Sequence, residues 1–331
     1  MLDKILKKIK NKTNLSIQES REIFSLIITG KVNNENLEEF LINLSDKGET
    51  IDEITGGVMA LREKCKNILF KGDLIDTCGT GGDGKNTINI SSAVAIVLSA
   101  NEIKVAKHGN KNISSKCGSA NVFEMLGIDI NLDEKGVVKS LEENNFAFMF
   151  APNFHPAMKY VAEVRKKIGK RTIFNLLGPL LNPVNVNRQI IGVFSKDILK
   201  KYIYVLKNLR LTKAWVFHSQ DGLDEISIFA NTDVYELNNG KINQFEVIPS
   251  KILKTDGNIK DIIGDDAEYN KNKILEVFSG SKNALLEIIA LNSAAALVVC
   301  EKENDLKTAY EKMYSFISSG NVIKHLNKIT K

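Results

Sequence analysis

A mostly parallel α/β sheet behind a helical opening segment is the fold this 331-residue sequence predicts. Three observations carry it. Residues before about 71 show helical signals only. Five short β-rich runs then follow (LIDTCG, IKVAKHG, FAFMFAPN, QIIGVFS and KAWVFHSQ), each ending in a polar or glycine-rich loop and alternating with helical patterns. A later stretch, TDVYELNNGKINQFEVI, turns at Asn239-Gly240 and reads as an antiparallel hairpin added to that sheet.

In the opening segment, Ser16 with Glu19 and Thr50 with Glu53 have capping-box spacing ahead of apolar residues at helical period. Asn34 is the expected cap of a further helix carrying Leu37, Phe40, Leu41 and Leu44. Between the strands, SSAVAIVLSA, ANVFEMLG and DILKKYIYVLKNL have the pattern of crossover helices, and long helices follow after about residue 258. The longest apolar run, Ile288 to Cys300, is interrupted by Asn292 and Ser293 and is too short to span a bilayer, so a buried helix is expected.

Composition narrows the function. The net charge of +5 comes from scattered lysine rather than a basic block, which suits anionic ligands and argues against a nucleic-acid partner. Cys65, Cys78, Cys117 and Cys300 form no C-x-x-C pair and read as reduced thiols. The lysine-studded start MLDKILKKIKNK has no apolar signal-peptide core. A cytoplasmic protein without a membrane partner is the expectation.

In a parallel sheet the loops after the strands emerge at one edge, where ligands bind. Loops 79–89, 107–119 and 218–225 can therefore share a cleft. The first contains G-x-G-x-x-G (Gly79, Gly81, Gly84) with Asp83 inside it. A dinucleotide fingerprint packs its last glycine into a helix start, whereas here polar GKNTIN follows. A tight surface turn is one alternative. The other is a phosphate loop backed by the dipole of a helix starting near Asn89, with Thr87, Asn89, Ser91 and Ser92 as added donors. Asp83 then suits ligand hydroxyls or a bound cation.

KHGNKNISSKCGSAN gathers Lys107, Asn110, Lys111, Ser114, Ser115, Lys116 and Ser119. Alone it reads as a solvated loop, and beside the first loop it becomes a second anion cradle. SQDGLDEIS supplies Asp221, Asp224 and Glu225, either exposed polar surface or carboxylates that meet phosphates through magnesium. Arg165 lies on a helical pattern, either solvated or gripping a carboxylate with its planar fork. The four histidines, His108, His155, His218 and His325, look too dispersed for a triad or a metal cluster.

Seven motifs, GTGGD, NTINISS, KHGN, SSKCGSAN, HPAMK, RTIFNLLGPLLNP and DGLDEIS, lie in the order and spacing of one family. Over essentially its whole length the chain resembles the anthranilate phosphoribosyltransferases of tryptophan biosynthesis. The resemblance implies a phosphoribosyltransferase and nucleoside phosphorylase-like fold. In it, residues 1–70 with 160–181 make a small all-helical domain and residues 71–159 with 182–331 the α/β domain. It also implies a homodimer built through the helical domain.

The implied reaction joins the amine of anthranilate to C1 of phosphoribosyl pyrophosphate, with two Mg2+ ions per site. Implied contacts to phosphoribosyl pyrophosphate are Gly79, Gly82, Asp83, Thr87, Asn89, Ile90, Ser91 and Ser92. The second half of that site is Lys107, His108, Gly109, Asn110, Lys111, Asn112, Ile113, Ser114, Ser115 and Ser119. Gly79, Asn110 and Arg165 match anthranilate contacts, and Ser91, Asp224 and Glu225 match the magnesium ligands. No covalent nucleophile or firm general base is expected, and His108 is the candidate neighbour of the amine. Lys111, Cys117, Asn121 and the Ser219-Gln220 pair depart from the family's usual arginine, serine, aspartate and glycine. Two rival readings are a nucleoside phosphorylase, which would use no acidic metal pair, and a catalytically silent nucleic-acid binder, which would show clustered basic residues and eroded loops.

Overall fold

The computed structural model describes residues 1–111, 117–255 and 257–330. Four helices come first: α1 (Leu2–Lys10), α2 (Ile17–Ile27), α3 (Asn34–Lys47) and α4 (Ile51–Glu63). Both capping boxes form. The Glu19 and Glu53 amides donate to Ser16 Oγ and Thr50 Oγ1 at 3.2 Å each, and the two glutamates accept from the capping residues' own N–H groups. Glu53 also takes the Leu15 N–H at 2.9 Å and pairs with Lys47 at 2.9 Å, both side chains being nearly inaccessible. The cap of α3 is Asn33, one residue before the expected Asn34. Asn33 is extended, so its Oδ1 reaches the Asn36 N–H at 2.9 Å, whereas Asn34 is already the first helical residue.

The remaining elements alternate. They are β1 (Ile75–Gly79), α5 (Ile90–Ala100), β2 (Val105–Gly109), α6 (Ser119–Met125), α7 (Glu134–Asn144), β3 (Phe146–Phe150), α8 (Ala151–Phe154), α9 (Lys159–Ile168) and α10 (Ile173–Leu177). Next come β4 (Arg188–Gly192), α11 (Lys196–Asn208), β5 (Lys213–Ser219), β6 (Thr232–Asn238) and β7 (Lys241–Val247). Helices α12 (Ala267–Phe278), α13 (Ala284–Val299), α14 (Leu306–Ser318) and α15 (Asn321–Ile329) complete the chain.

The seven strands form one sheet in the order β3-β2-β1-β4-β5-β6-β7. The first five are parallel, and β6 and β7 add antiparallel. Asn239 and Gly240 both have positive φ, 48° and 79°, as a two-residue hairpin turn needs. Successive side chains of a strand face opposite sides, and here both sides are covered. Ile190, Trp215 and Phe217 join the apolar core containing α5 and α13, while Ile191, Ala214 and Val216 join the core containing α11. The second core runs on into the helical bundle. Val161, Val164, Ile173 and Phe174, from beyond β3, are buried with Ile23, Phe24, Phe40 and Leu41, and the Phe24 ring meets those of Phe40 and Phe174 at 5.8 Å. Among the described residues no helix is long and apolar enough to cross a membrane.

Candidate functional site

Strand β1 has β2 on one side and β4 on the other, so the sheet changes its direction of winding there. Loops leaving the carboxyl ends of β1 and β4 part at such a switch point and open a crevice. A cavity of about 520 Å³ occupies it. Gly79–Asn89 residues, Lys107 to Asn110, Ser119, Asp224 and Glu225 line it, so three loops widely separated in sequence do share one cleft.

The loop after β1 is pinned from several directions. Thr80 N donates to Gly192 O at 2.9 Å, and Phe194 N donates to Thr80 Oγ1 at 3.0 Å. Gly81 N donates to Asp224 Oδ2 at 3.0 Å. Asp83 serves its own surroundings: Oδ1 accepts the Lys85 N–H at 3.0 Å and Oδ2 the Asp224 N–H at 3.4 Å. Thr87 bridges to Ile263 and lines the cavity. At the start of α5, Asn89 makes no side-chain cap. Its amide donates to Cys117 O at 3.3 Å and its oxygen accepts from Asn270 at 2.9 Å. At that helix start the Ile90 N–H donates to Ile88 O at 2.6 Å and the Ser92 N–H to Asn89 O at 3.1 Å, while the Ser91 N–H faces the Glu225 carboxylate. Ile90 is buried there, Ser91 and Ser92 line the cavity, and among the described residues Ser92 Oγ has no partner although it is buried.

From β2, Lys107 is 2% exposed and donates to Thr77 O and, at 3.4 Å, to Ser91 Oγ. A fully buried Asp76 lies behind it, held by Asn182 Nδ2 at 2.8 Å. The same amide nitrogen of Asn182 also reaches Ala106 O at 2.8 Å. Burial pushes the Asp76 carboxyl up to about 6 even with Lys107 and Asn182 pulling it down. Gly109 admits Ser119 so closely that a Cβ there would meet its Oγ at 2.2 Å, and Asn110 O accepts from Ser119 Oγ at 3.4 Å. Lys111 is exposed, pairs with Glu124 at 3.1 Å and is not among the lining residues. Asn112, Ile113, Ser114, Ser115 and Lys116 lie outside the described residues.

Asp224 and Glu225 sit at the cavity base on a turn with a dedicated clamp. Asn292, the polar break in the apolar α13, accepts the Ile226 N–H at 3.0 Å and donates to Ile226 O at 2.9 Å. Asp221 instead braces the turn, accepting from Ser227 Oγ at 2.6 Å and Leu223 N at 3.2 Å. Burial and then Asp83 push Asp224 up to about 7, and burial and then Asp224 push Glu225 well above the usual carboxylate range. Crowded carboxylates that resist ionising are the arrangement a cation relieves. Among the described residues no three His, Cys, Asp or Glu side chains make a self-sufficient metal cluster. Two carboxylates with the Ser91 hydroxyl nearby fit a hard ion that takes its other ligands from water and phosphate, as magnesium does.

The histidines are not all dispersed. His108 and His155, 47 residues apart in the chain, stand ring to ring at 5.0 Å, because β2 lies beside β3 and the loop after β3 folds back over the sheet edge. His155 Nε2 also approaches Cys65 Sγ at 3.9 Å. Burial holds His155 down at about 4 and His108 well below its usual range, so both rings are neutral at pH 7. Among the described residues, His108 Nε2 is buried without a partner. His218 and His325 make ordinary structural bonds, to Val193 O at 2.8 Å and Ser99 Oγ at 3.0 Å.

Arg165, on α9, is not a lining residue; its guanidinium lies 5.3 Å over the Phe174 ring. Among the lining residues to which the sequence analysis gave no role are Arg171, Asn175 and Phe194. Arg171 and Asn175 lie in the RTIFN motif, so a signal was present without an assignment.

Residues 71–323 match the model of the glycosyl transferase family, a/b domain, and residues 3–65 that of the glycosyl transferase family, helical bundle domain. The chain is 48% identical over 322 residues to the anthranilate phosphoribosyltransferase of Pelagibacter ubique, covering 97% of each. The crystal structure of anthranilate phosphoribosyltransferase from Thermus thermophilus is similar with a TM-score of 0.92, 32% identity and 98% of each chain covered. The enzyme from Saccharomyces cerevisiae, solved in complex with PRPP (phosphoribosyl pyrophosphate) and Mg, is similar with a TM-score of 0.91 and 27% identity, covering 99% of this chain and 96% of that one.

Proposed function

We infer the chemistry of the cleft from one premise: the chain belongs to the anthranilate phosphoribosyltransferases. The enzyme transfers the 5-phosphoribosyl group from phosphoribosyl pyrophosphate to the amine of anthranilate. The products are N-(5-phosphoribosyl)anthranilate and pyrophosphate, the second step from chorismate to tryptophan. A C1–N bond forms as the bond from C1 to the pyrophosphate oxygen breaks.

The convergence of the loops after β1 and β2 with the Asp224-Glu225 turn on one cavity carries our residue assignments. In this reading Gly79, Gly82, Asp83, Thr87 and the uncapped start of α5 at Asn89, Ile90, Ser91 and Ser92 receive the pyrophosphate, giving fixed dipoles to its growing charge. Lys107 and the stretch through Ser119 hold the rest of phosphoribosyl pyrophosphate. Gly79, Asn110 and Arg165 receive anthranilate, and neutral His108 stands beside its amine. Burial keeps His108 from competing as a cation, and holding the amine against C1 can contribute roughly several kcal/mol. Ser91, Asp224 and Glu225 would hold magnesium, as two ions, which neutralises charge on the departing pyrophosphate.

The helical unit in this reading is residues 1–70 with 160–181, and it builds a homodimer. The packing of Val164 and Phe174 into the bundle supports the first statement, and the exposure of Ile42 and Tyr160 supports the second. The free thiols of Cys65, Cys78 and Cys300 support a cytoplasmic location.

The test follows anthranilate consumption with phosphoribosyl pyrophosphate, with and without magnesium. Asp224→Asn with Glu225→Gln is expected to abolish nearly all turnover in a folded protein. Wild-type turnover in that variant would remove the metal assignment.

A further inference from the structure

Arg171 spans the cleft. Its own carbonyl accepts from Ser45 Oγ on α3 at 3.4 Å, so its base belongs to the helical side. Its guanidinium reaches the opposite wall, where Nη2 donates to Gly82 O and Cζ lies over the Phe194 ring, 3.8 Å from its centroid. Phe194 is tied to the same glycine loop by its N–H bond to Thr80 Oγ1. Among the described residues no carboxylate pairs with Arg171, although Arg21 and Arg188, elsewhere in the molecule, have acidic partners. A full cation thus meets a backbone carbonyl and a ring, at the residue proposed above to receive phosphate.

We propose that Arg171 is a positioning residue for phosphoribosyl pyrophosphate, a strap from the helical side that sets the glycine loop through Gly82. The inference rests on the reading that this loop receives the pyrophosphate. Across a planar trans peptide the Gly82 C=O and the Asp83 N–H point in opposite directions. Tying the carbonyl to the guanidinium therefore aims the Asp83 N–H away from Arg171, as a donor for an anion. Gly82 has φ 78°, and a Cβ there would lie 3.0 Å from Nη2, so the contact suits a bare backbone. Only a planar fork can stack on Phe194 and donate in its own plane at once; a lysine ammonium keeps the charge and loses that pairing.

The experiment measures KM for each substrate, with kcat and the melting temperature, in Arg171→Ala, Arg171→Lys and Thr87→Val. Thr87 lines the same loop without touching Arg171. For Arg171→Ala, a rise of about tenfold in KM for phosphoribosyl pyrophosphate is expected, with KM for anthranilate changed less than about twofold. Arg171→Lys should recover part of that loss, to about threefold. A merely structural residue would lower the melting temperature and kcat without separating the two KM values. If Thr87→Val raises KM for phosphoribosyl pyrophosphate and Arg171→Ala does not, the strap is wrong and the loop reading stands. If neither raises it, the loop reading falls and the strap with it. A rise confined to anthranilate in Arg171→Ala would also overturn the proposal, making Arg171 a contact to the aromatic acid.

Discussion

Gly192 ends β4 directly beside Gly79 of β1, and Asp224 rests on it. A Cβ at position 192 would lie 1.6 Å from Asp224 O and 2.5 Å from its carbonyl carbon. Real Cβ contacts essentially never fall below 3.0 Å, so Gly192→Ala forces that main chain back by about 1.4 Å. Asn292 clamps Ile226 through both its N–H and its C=O, so the turn cannot yield smoothly. Overpacking of this kind costs about 1–3 kcal/mol of stability. Its larger effect is on Asp224 and Glu225, since about 1 Å of misplacement can lower a rate about a hundredfold. The assay is turnover at saturating substrates across a magnesium titration. Turnover is expected to fall about a hundredfold and half-saturation to move to at least about tenfold more magnesium. A folded Gly192→Ala enzyme with an unchanged magnesium titration would refute the argument that this turn carries the ion.

Arg165→Ala should raise KM for anthranilate about tenfold and leave KM for phosphoribosyl pyrophosphate nearly unchanged in steady-state kinetics, since the contact proposed for it is a charged one. Asn182→Ala removes buried bonds to Asp76, Ala106 and Val184, and denaturant unfolding should register a loss of about 3 kcal/mol. His155 has its pKa lowered from 6.5 to about 4, so the unfolded chain binds the extra proton first as pH falls. Its contribution is complete above pH 6.5 and disappears towards pH 4. Unfolding free energies of wild type and His155→Gln should therefore converge or cross by about 3 kcal/mol over that window. Asp76, raised to about 6, acts in the opposite sense in both proteins and cancels in the comparison.

Much of this was legible in the chain because its signals are local. Capping boxes at Ser16 and Thr50 and the Asn239-Gly240 turn are decided within four residues. The β-rich runs ending in glycine loops give a parallel sheet, and a parallel sheet places those loops at one edge. The one-residue slip from Asn34 to Asn33 is a choice between chemically identical caps, which only backbone conformation resolves. What stayed hidden depends on the return path of residues 155–181. The meeting of His108 with His155, and the reach of Arg171 to Gly82 and Phe194, follow from how that segment folds back over the rim. Asn292 read as a flaw in an apolar helix because its partner, Ile226, is 66 residues away. Asp83 raised a question about charge in a phosphate loop, and the structure adds that it also accepts the Asp224 N–H, a contact between residues 141 apart.

The core that joins Phe24 and Leu41 to Val164 and Phe174 also has a consequence during synthesis. More than a hundred residues separate the end of α4 from Phe174, and a ribosome adding about 5–20 residues each second needs several seconds or longer to deliver them. Until then the apolar side chains of the first four helices lack the partners that Val164 and Phe174 supply in the finished core. The core of the first four helices is thus completed only when a segment made much later arrives.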